Sequence, residues 1–132
     1  MNVSPTFLTV SQVQQIHRRM VCEFGGASEV RNHGLLEAAV MMPAAGYGGR
    51  FLHEDLPAMA AAYLFHICKS HAFVDGNKRT ALASAEVFLM LNGVELLATN
   101  AELVRITRAV AEGTLSKAEV VAFCRAHDAP AV

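Results

Sequence analysis

Two alanine-rich apolar segments, residues 57–70 and 77–91, stand on either side of a short polar stretch, His71 to Thr80. That arrangement constrains the fold more than anything else in the chain. Each segment is apolar on most of its sides, so each must be buried rather than lie on a surface. Alanine is the best helix former, and its 22 copies in 132 residues favour helix over strand. Two buried helices need others around them, and the remaining sequence supplies helical signals one after another. Thr9-Val10-Ser11-Gln12 is a capping box, followed by Val10, Val13, Ile16, Met20 and Phe24 at helical spacing and stopped by Gly25-Gly26. A second helix starts near Asn32, carries Leu35, Leu36, Ala39 and Val40, and ends at Pro43. Pro57 suits the first turn of the third helix, and the fourth runs from Asn77 to Asn92-Gly93. Val94 to Ala98 reads as a loop or a few extended residues. Asn100 is expected to cap a fifth helix with Leu103, Ile106 and Val110, and Ser116-Lys117-Ala118-Glu119 opens a sixth that reaches about His127. The expectation is an all-α bundle of about six helices in a single domain, residues 1–132. Residues 43–55, with Gly46, Gly48, Gly49, Tyr47 and Phe51, form a short hairpin or open loop before the third helix.

Composition bounds the function. A formal charge of −1 gives no overall pull toward nucleic acid or anionic lipid, so direct nucleic-acid binding is not expected. No apolar run reaches bilayer-spanning length, and the N-terminus lacks a basic and long apolar leader, so a cytoplasmic protein is expected. Cys22, Cys68 and Cys124 are odd in number and form no CxxC pair, which reads as reduced core thiols. The six histidines show no zinc spacing. His66 reads as a hydrogen-bonded core residue and Arg18-Arg19 as a solvated face. Glu86 either points outward or pairs with a cation.

The polar stretch His71-Ala72-Phe73-Val74-Asp75-Gly76-Asn77-Lys78-Arg79-Thr80 is the chemical candidate. It offers a titratable base, a carboxylate, a Gly-Asn turn and two cations, and it opens directly into a helix. A helix N-terminus has free N–H groups and a positive dipole end, which together suit an anion. Arg79 can grip phosphate oxygens in pairs, and Lys78 adds a point charge. Asp75 is placed to hold Mg²⁺, which commonly takes one or two carboxylates plus substrate phosphates. His71 can deprotonate an attacking hydroxyl. These parts suit phosphoryl or nucleotidyl transfer, where catalysis is mainly positioning and charge neutralisation. The competing reading is structural: His71 as a helix C-cap, Asp75 ion-paired with Lys78 or Arg79, and Gly76-Asn77 as an ordinary turn.

The stretch resembles the signature of the Fic/Doc family, HxFx(D/E)GN(G/K)R, at His71, Phe73, Asp75, Gly76, Asn77 and Arg79. The similarity extends over roughly residues 8 to 127. Lys78 stands where the AMP-transferring Fic branch usually has Gly, and Leu82 stands where that branch commonly has a further Arg. Both look like the Doc (death-on-curing) branch, the toxin half of a toxin–antitoxin pair. The resemblance implies a compact helical bundle that uses ATP and Mg²⁺. It implies transfer of the γ-phosphate to a protein hydroxyl, a threonine of elongation factor Tu, which arrests translation. On that pattern His71 is the general base, Asp75 positions Mg²⁺ or the base, and Phe73 anchors the loop. Gly76 and Asn77 shape the phosphate nest, and Lys78 and Arg79 hold phosphates. A Lys at position 78 would reshape the nest, so the nucleotide would bind reversed and present its γ-phosphate. Residues 43–55 sit where relatives carry a flap for the target segment, to which an extended peptide can add as a strand. The inhibitory pattern (S/T)xxxE(G/N) of many Fic proteins is not met, because Arg108 precedes Glu112-Gly113 by four. The resemblance instead implies a separate antitoxin whose disordered tail folds on binding. AMP transfer and a catalytically silent antitoxin-binding module are the alternatives.

Overall fold

The computed structural model describes residues 4–131. It contains six α-helices: α1 Val10–Phe24, α2 His33–Met41, α3 Leu56–Ser70, α4 Asn77–Leu91, α5 Asn100–Glu112 and α6 Lys117–His127. Two small antiparallel ladders accompany them. β1 (Gly46–Tyr47) pairs with β2 (Arg50–Phe51), and β3 (Val94–Leu96) pairs with β4 (Asp128–Pro130). The expected helical bundle with a hairpin before its third helix is what the chain forms.

Helix α3 is the axis of the bundle, and ten of its fifteen residues are buried. It packs along α4 and is also flanked by α2, α5 and α6. Ala60, Ala61 and Ala62 on α3 and Ala81 and Ala85 on α4 are fully buried, so small side chains line both central helices. Larger groups fill the space around them. Tyr63 lies 5.0 Å from Phe88, ring centre to ring centre, and its hydroxyl accepts the Leu8 N–H at 2.8 Å. Burial pushes the Tyr63 phenol up to about 12.

The caps explain where the helices begin. The Thr9–Gln12, Thr99–Glu102 and Ser116–Glu119 pairs form reciprocal capping boxes. The cap of α5 is thus Thr99, and the expected cap Asn100 is its first helical residue. The Asn32 side chain accepts the Leu35 N–H, and that of Asp55 accepts the Ala58 N–H, each at 2.9 Å. Pro43 does not end the coil abruptly but sits in a 3₁₀ turn, Met42–Ala44, that continues α2. The ambiguous stretch after α4 becomes a strand because residues 128–130 return to pair with it: Val94 faces Pro130 and Leu96 faces Asp128.

Three single-residue expectations change or gain detail. Cys68 and Cys124 are buried thiols, but Cys22 is exposed on α1, so it is not a core residue. His66 is half-buried rather than core, and its Nε2 accepts from Lys117 Nζ at 3.0 Å. Burial, then the nearby Lys117 and His53, bring its pKa down to about 4. Glu86 is half-buried with no cation paired to it among the described residues, and burial raises its carboxyl.

Candidate active site

The site is built at the junction of the two central helices. Helix α3 ends at Ser70, whose hydroxyl donates to the Ile67 carbonyl at 2.9 Å and accepts the Ala72 N–H at 3.3 Å. His71 follows as the C-cap in the left-handed conformation, φ 51° and ψ 37°. Its side chain is exposed. Phe73 then turns inward and is 1% exposed. The loop closes on itself through Asn77: its Oδ1 accepts the Phe73 N–H at 3.1 Å, and its Nδ2 donates to the Phe73 carbonyl at 2.9 Å. Both ends of the Asn77 side chain are therefore engaged within the loop. The brace fixes the turn that opens α4.

Two outside segments fix the loop in place. The chain just before α2 runs beside it: Arg31 N and Asn32 N both donate to the Ala72 carbonyl, at 2.7 and 3.1 Å. Val74 N donates to the Glu29 carbonyl at 3.2 Å. From α1, buried His17 lies flat on the Phe73 ring, 3.7 Å between centres, and its Nε2–H donates to the Asp75 carbonyl at 2.7 Å. The Asp75 side chain accepts the Ala27 N–H at 2.8 Å through Oδ2. Gly26 must be glycine at this point, because a Cβ there would lie 2.9 Å from the Asp75 Cβ, at a backbone φ of +113°.

Gly76 is the N-cap of α4 and has no side chain to satisfy the first N–H groups of the helix. These donors belong to residues that line an open cleft of about 420 Å³. His71, Asp75, Gly76, Asn77, Lys78 and Arg79 all line it, so every residue expected at the site from sequence meets there. Asp75 makes no ion pair with Lys78 or Arg79. The Arg79 guanidinium instead sits 4.2 Å over the Phe24 ring, a cation–π contact at the end of α1. The His71 C-cap of the structural reading is present, while its ion pair is not.

The opposite wall comes from α5: Val104, Thr107, Arg108 and Ala111, with Leu82 of α4 and Cys68 of α3. The Cys68 thiol contacts the Thr107 carbonyl at 3.9 Å, and burial raises its pKa. Sequence reasoning did not assign this wall. Its signal was available, because residues 104, 107, 108 and 111 follow helical one-face spacing. His17 was also missed, and a lone histidine on an amphipathic helix carries no signal by itself.

The hairpin is a second surface feature. Gly48 and Gly49 take φ 60° and 80°, the left-handed values of a two-residue hairpin turn. Tyr47 is 94% exposed and Leu52 is 66% exposed. Phe51 meets Phe7 edge-on at 5.4 Å, which ties the ribbon to the body at one point.

Comparison with known proteins agrees with this architecture. A model of the Fic/DOC family matches residues 7–89. The chain is 34% identical over 108 residues to a protein named Protein kinase doc from Escherichia phage P1, covering 80% of this chain and 82% of that protein. It is 51% identical over 75 residues to Toxin Doc of Mycolicibacterium smegmatis, which covers 57% of this chain and 58% of that relative's length. With the signature loop, the helical bundle and these matches together, the chain belongs to the Fic/Doc family.

Proposed function

We propose that the chain is a Doc-like toxin that transfers the γ-phosphate of ATP to a hydroxyl of a translation factor, a threonine of elongation factor Tu. The observation that carries this reading is the convergence of His71, Asp75, Lys78 and Arg79 on one cleft at the uncapped start of α4. The names of the relatives, one a toxin and one a protein kinase, support it.

The residues fit the groups this chemistry needs. The free N–H groups of the first turn of α4, with Lys78 and Arg79, form a cradle for phosphate oxygens. Arg108 adds a third cation from the facing wall. Asp75 has Oδ2 on the Ala27 N–H, which leaves Oδ1 for Mg²⁺. No cluster of three or more metal-ligating side chains occurs among the described residues, so the ion would share Asp75 with the phosphates. When bound, Mg²⁺ supplies charge neutralisation on the phosphate oxygens. His71 takes the proton of the attacking hydroxyl. A new bond forms from that oxygen to the γ-phosphorus as the bond to the bridging oxygen breaks, and ADP leaves. Lys78 and Arg79 stabilise the charge on the transferring group.

The exposed hairpin, residues 46–51, is the flap that receives an extended segment of the target. A cognate antitoxin with a disordered tail that folds on binding neutralises the protein. Among the described residues, no helix is long and apolar enough to cross a membrane.

The test is intact mass spectrometry of elongation factor Tu incubated with the protein, Mg²⁺ and ATP. A gain of about 80 Da is the expected result, and about 329 Da would mean AMP transfer instead. No gain on this or any lysate protein would overturn transfer altogether.

A further inference from the structure

We infer that Arg31, outside the signature, is a positioning residue that holds His71 in its working conformation. The inference rests on the proposed role of His71 as the base. Among the described residues, His71 is the sole non-glycine residue with a positive φ. That conformation is strained for a residue with a Cβ. Strain of this kind persists only where the surroundings over-determine it. The exposed His71 side chain adds no packing of its own, so the buried Ala72 and Phe73 that follow and the hydrogen bonds around the turn hold it.

The bond made to His71 itself comes from Arg31, whose Nε–H donates to the His71 carbonyl at 2.7 Å. This carbonyl stands at the C-terminal end of α3, where helix carbonyls lack partners and a cation is favoured. Arg31 is itself anchored, because its backbone N–H donates to the next carbonyl, that of Ala72, at 2.7 Å. One residue thus grips two successive carbonyls, one with its side chain and one with its main chain. Its neighbour Asn32 adds a second bond to Ala72 and caps α2, which fixes the direction from which the guanidinium reaches.

The phosphate cradle is held by other groups: His17 on the Asp75 carbonyl, Ala27 on the Asp75 carboxylate, and Asn77 on Phe73. Losing the Arg31 guanidinium should therefore release the base and leave the cradle intact. That separation distinguishes positioning from general structural support.

The experiment compares the parent with Arg31→Ala and Arg31→Lys. In Arg31→Ala, kcat should fall about 10- to 100-fold, the penalty typical of a misplaced catalytic group. KM for ATP should stay within about twofold, and the melting temperature within about 2 °C, as for an exposed site. Arg31→Lys, which keeps a charged donor, should recover part of kcat. In NMR spectra of the unligated protein, the backbone coupling and carbon shifts of His71 should show the left-handed conformation in the parent and lose it in Arg31→Ala. Parental kcat with an unchanged His71 signature would overturn the inference. A joint shift of KM and melting temperature would also overturn it by showing a purely structural role. If the parent transfers nothing, the proposed activity fails, and the His71 signature still decides the role of Arg31.

Discussion

The loop 71–76, which leads into the first turn of α4, and the hairpin 46–51 are connections of similar length, but they are held in opposite ways. The loop is tied by Glu29, Arg31 and Asn32 on one side, by His17 and Ala27 on another, and by Asn77 at the start of α4. Among the described residues, the hairpin is held by its own short ladder, one further backbone bond from Leu52 N to the Ala45 carbonyl, and the Phe51–Phe7 ring contact. Its outer backbone edges are unpaired by the ladder, and its aromatic tip projects away from the core. A group that must meet a reacting atom gains from being fixed before the substrate arrives, because ordering it then costs nothing at the moment of reaction. A surface that receives a flexible segment gains from being able to adjust. Under the proposed function, the contrast suits chemistry at the loop and target engagement at the hairpin.

Two substitutions sharpen this division. If Arg79 grips phosphate as proposed, Arg79→Ala removes that donor, and hydrogen bonds to charged groups are worth about 1.5–3 kcal/mol. Nucleotide affinity should therefore fall roughly 10- to 100-fold, read by calorimetry with ATP and Mg²⁺. Unchanged affinity would remove Arg79 from the phosphate site. Its cation–π contact with Phe24 involves two exposed residues, so little loss of stability should accompany the change.

Tyr47→Ala should produce a smaller and different effect. At 94% exposure the side chain contributes little to folding, so the melting temperature should not move. If the hairpin receives the target, KM for the protein substrate should rise about fivefold or more, as for a contact worth 1 kcal/mol, while ATP affinity stays constant. An unchanged KM for the target would break the comparison at its hairpin end.

The sequence showed the helical framework clearly where local signals decide it. The capping boxes at Thr9 and Ser116 and the apolar runs of α3 and α4 needed no tertiary information. It was less informative where a partner distant in sequence decides the outcome. Val94–Leu96 becomes a strand because Asp128–Pro130 comes back beside it. The α5 wall of the cleft, with Arg108, exists only because α5 packs where it faces Lys78 and Arg79. The loop residues were legible because six signature positions fall within nine residues. Their supports, His17 and Arg31, lie 54 and 40 positions before His71 and carry no local pattern (71 − 17 and 71 − 31).

The most direct test of the account is the transfer rate of His71→Ala against the parent on the same target. His71 is exposed and fills no part of the core, so the variant should fold and melt as the parent does. A general base contributes about 10²- to 10⁴-fold, and the variant should lose transfer by that amount while still binding ATP. A variant that transfers at the parental rate would contradict the assignment of the chemistry to this loop.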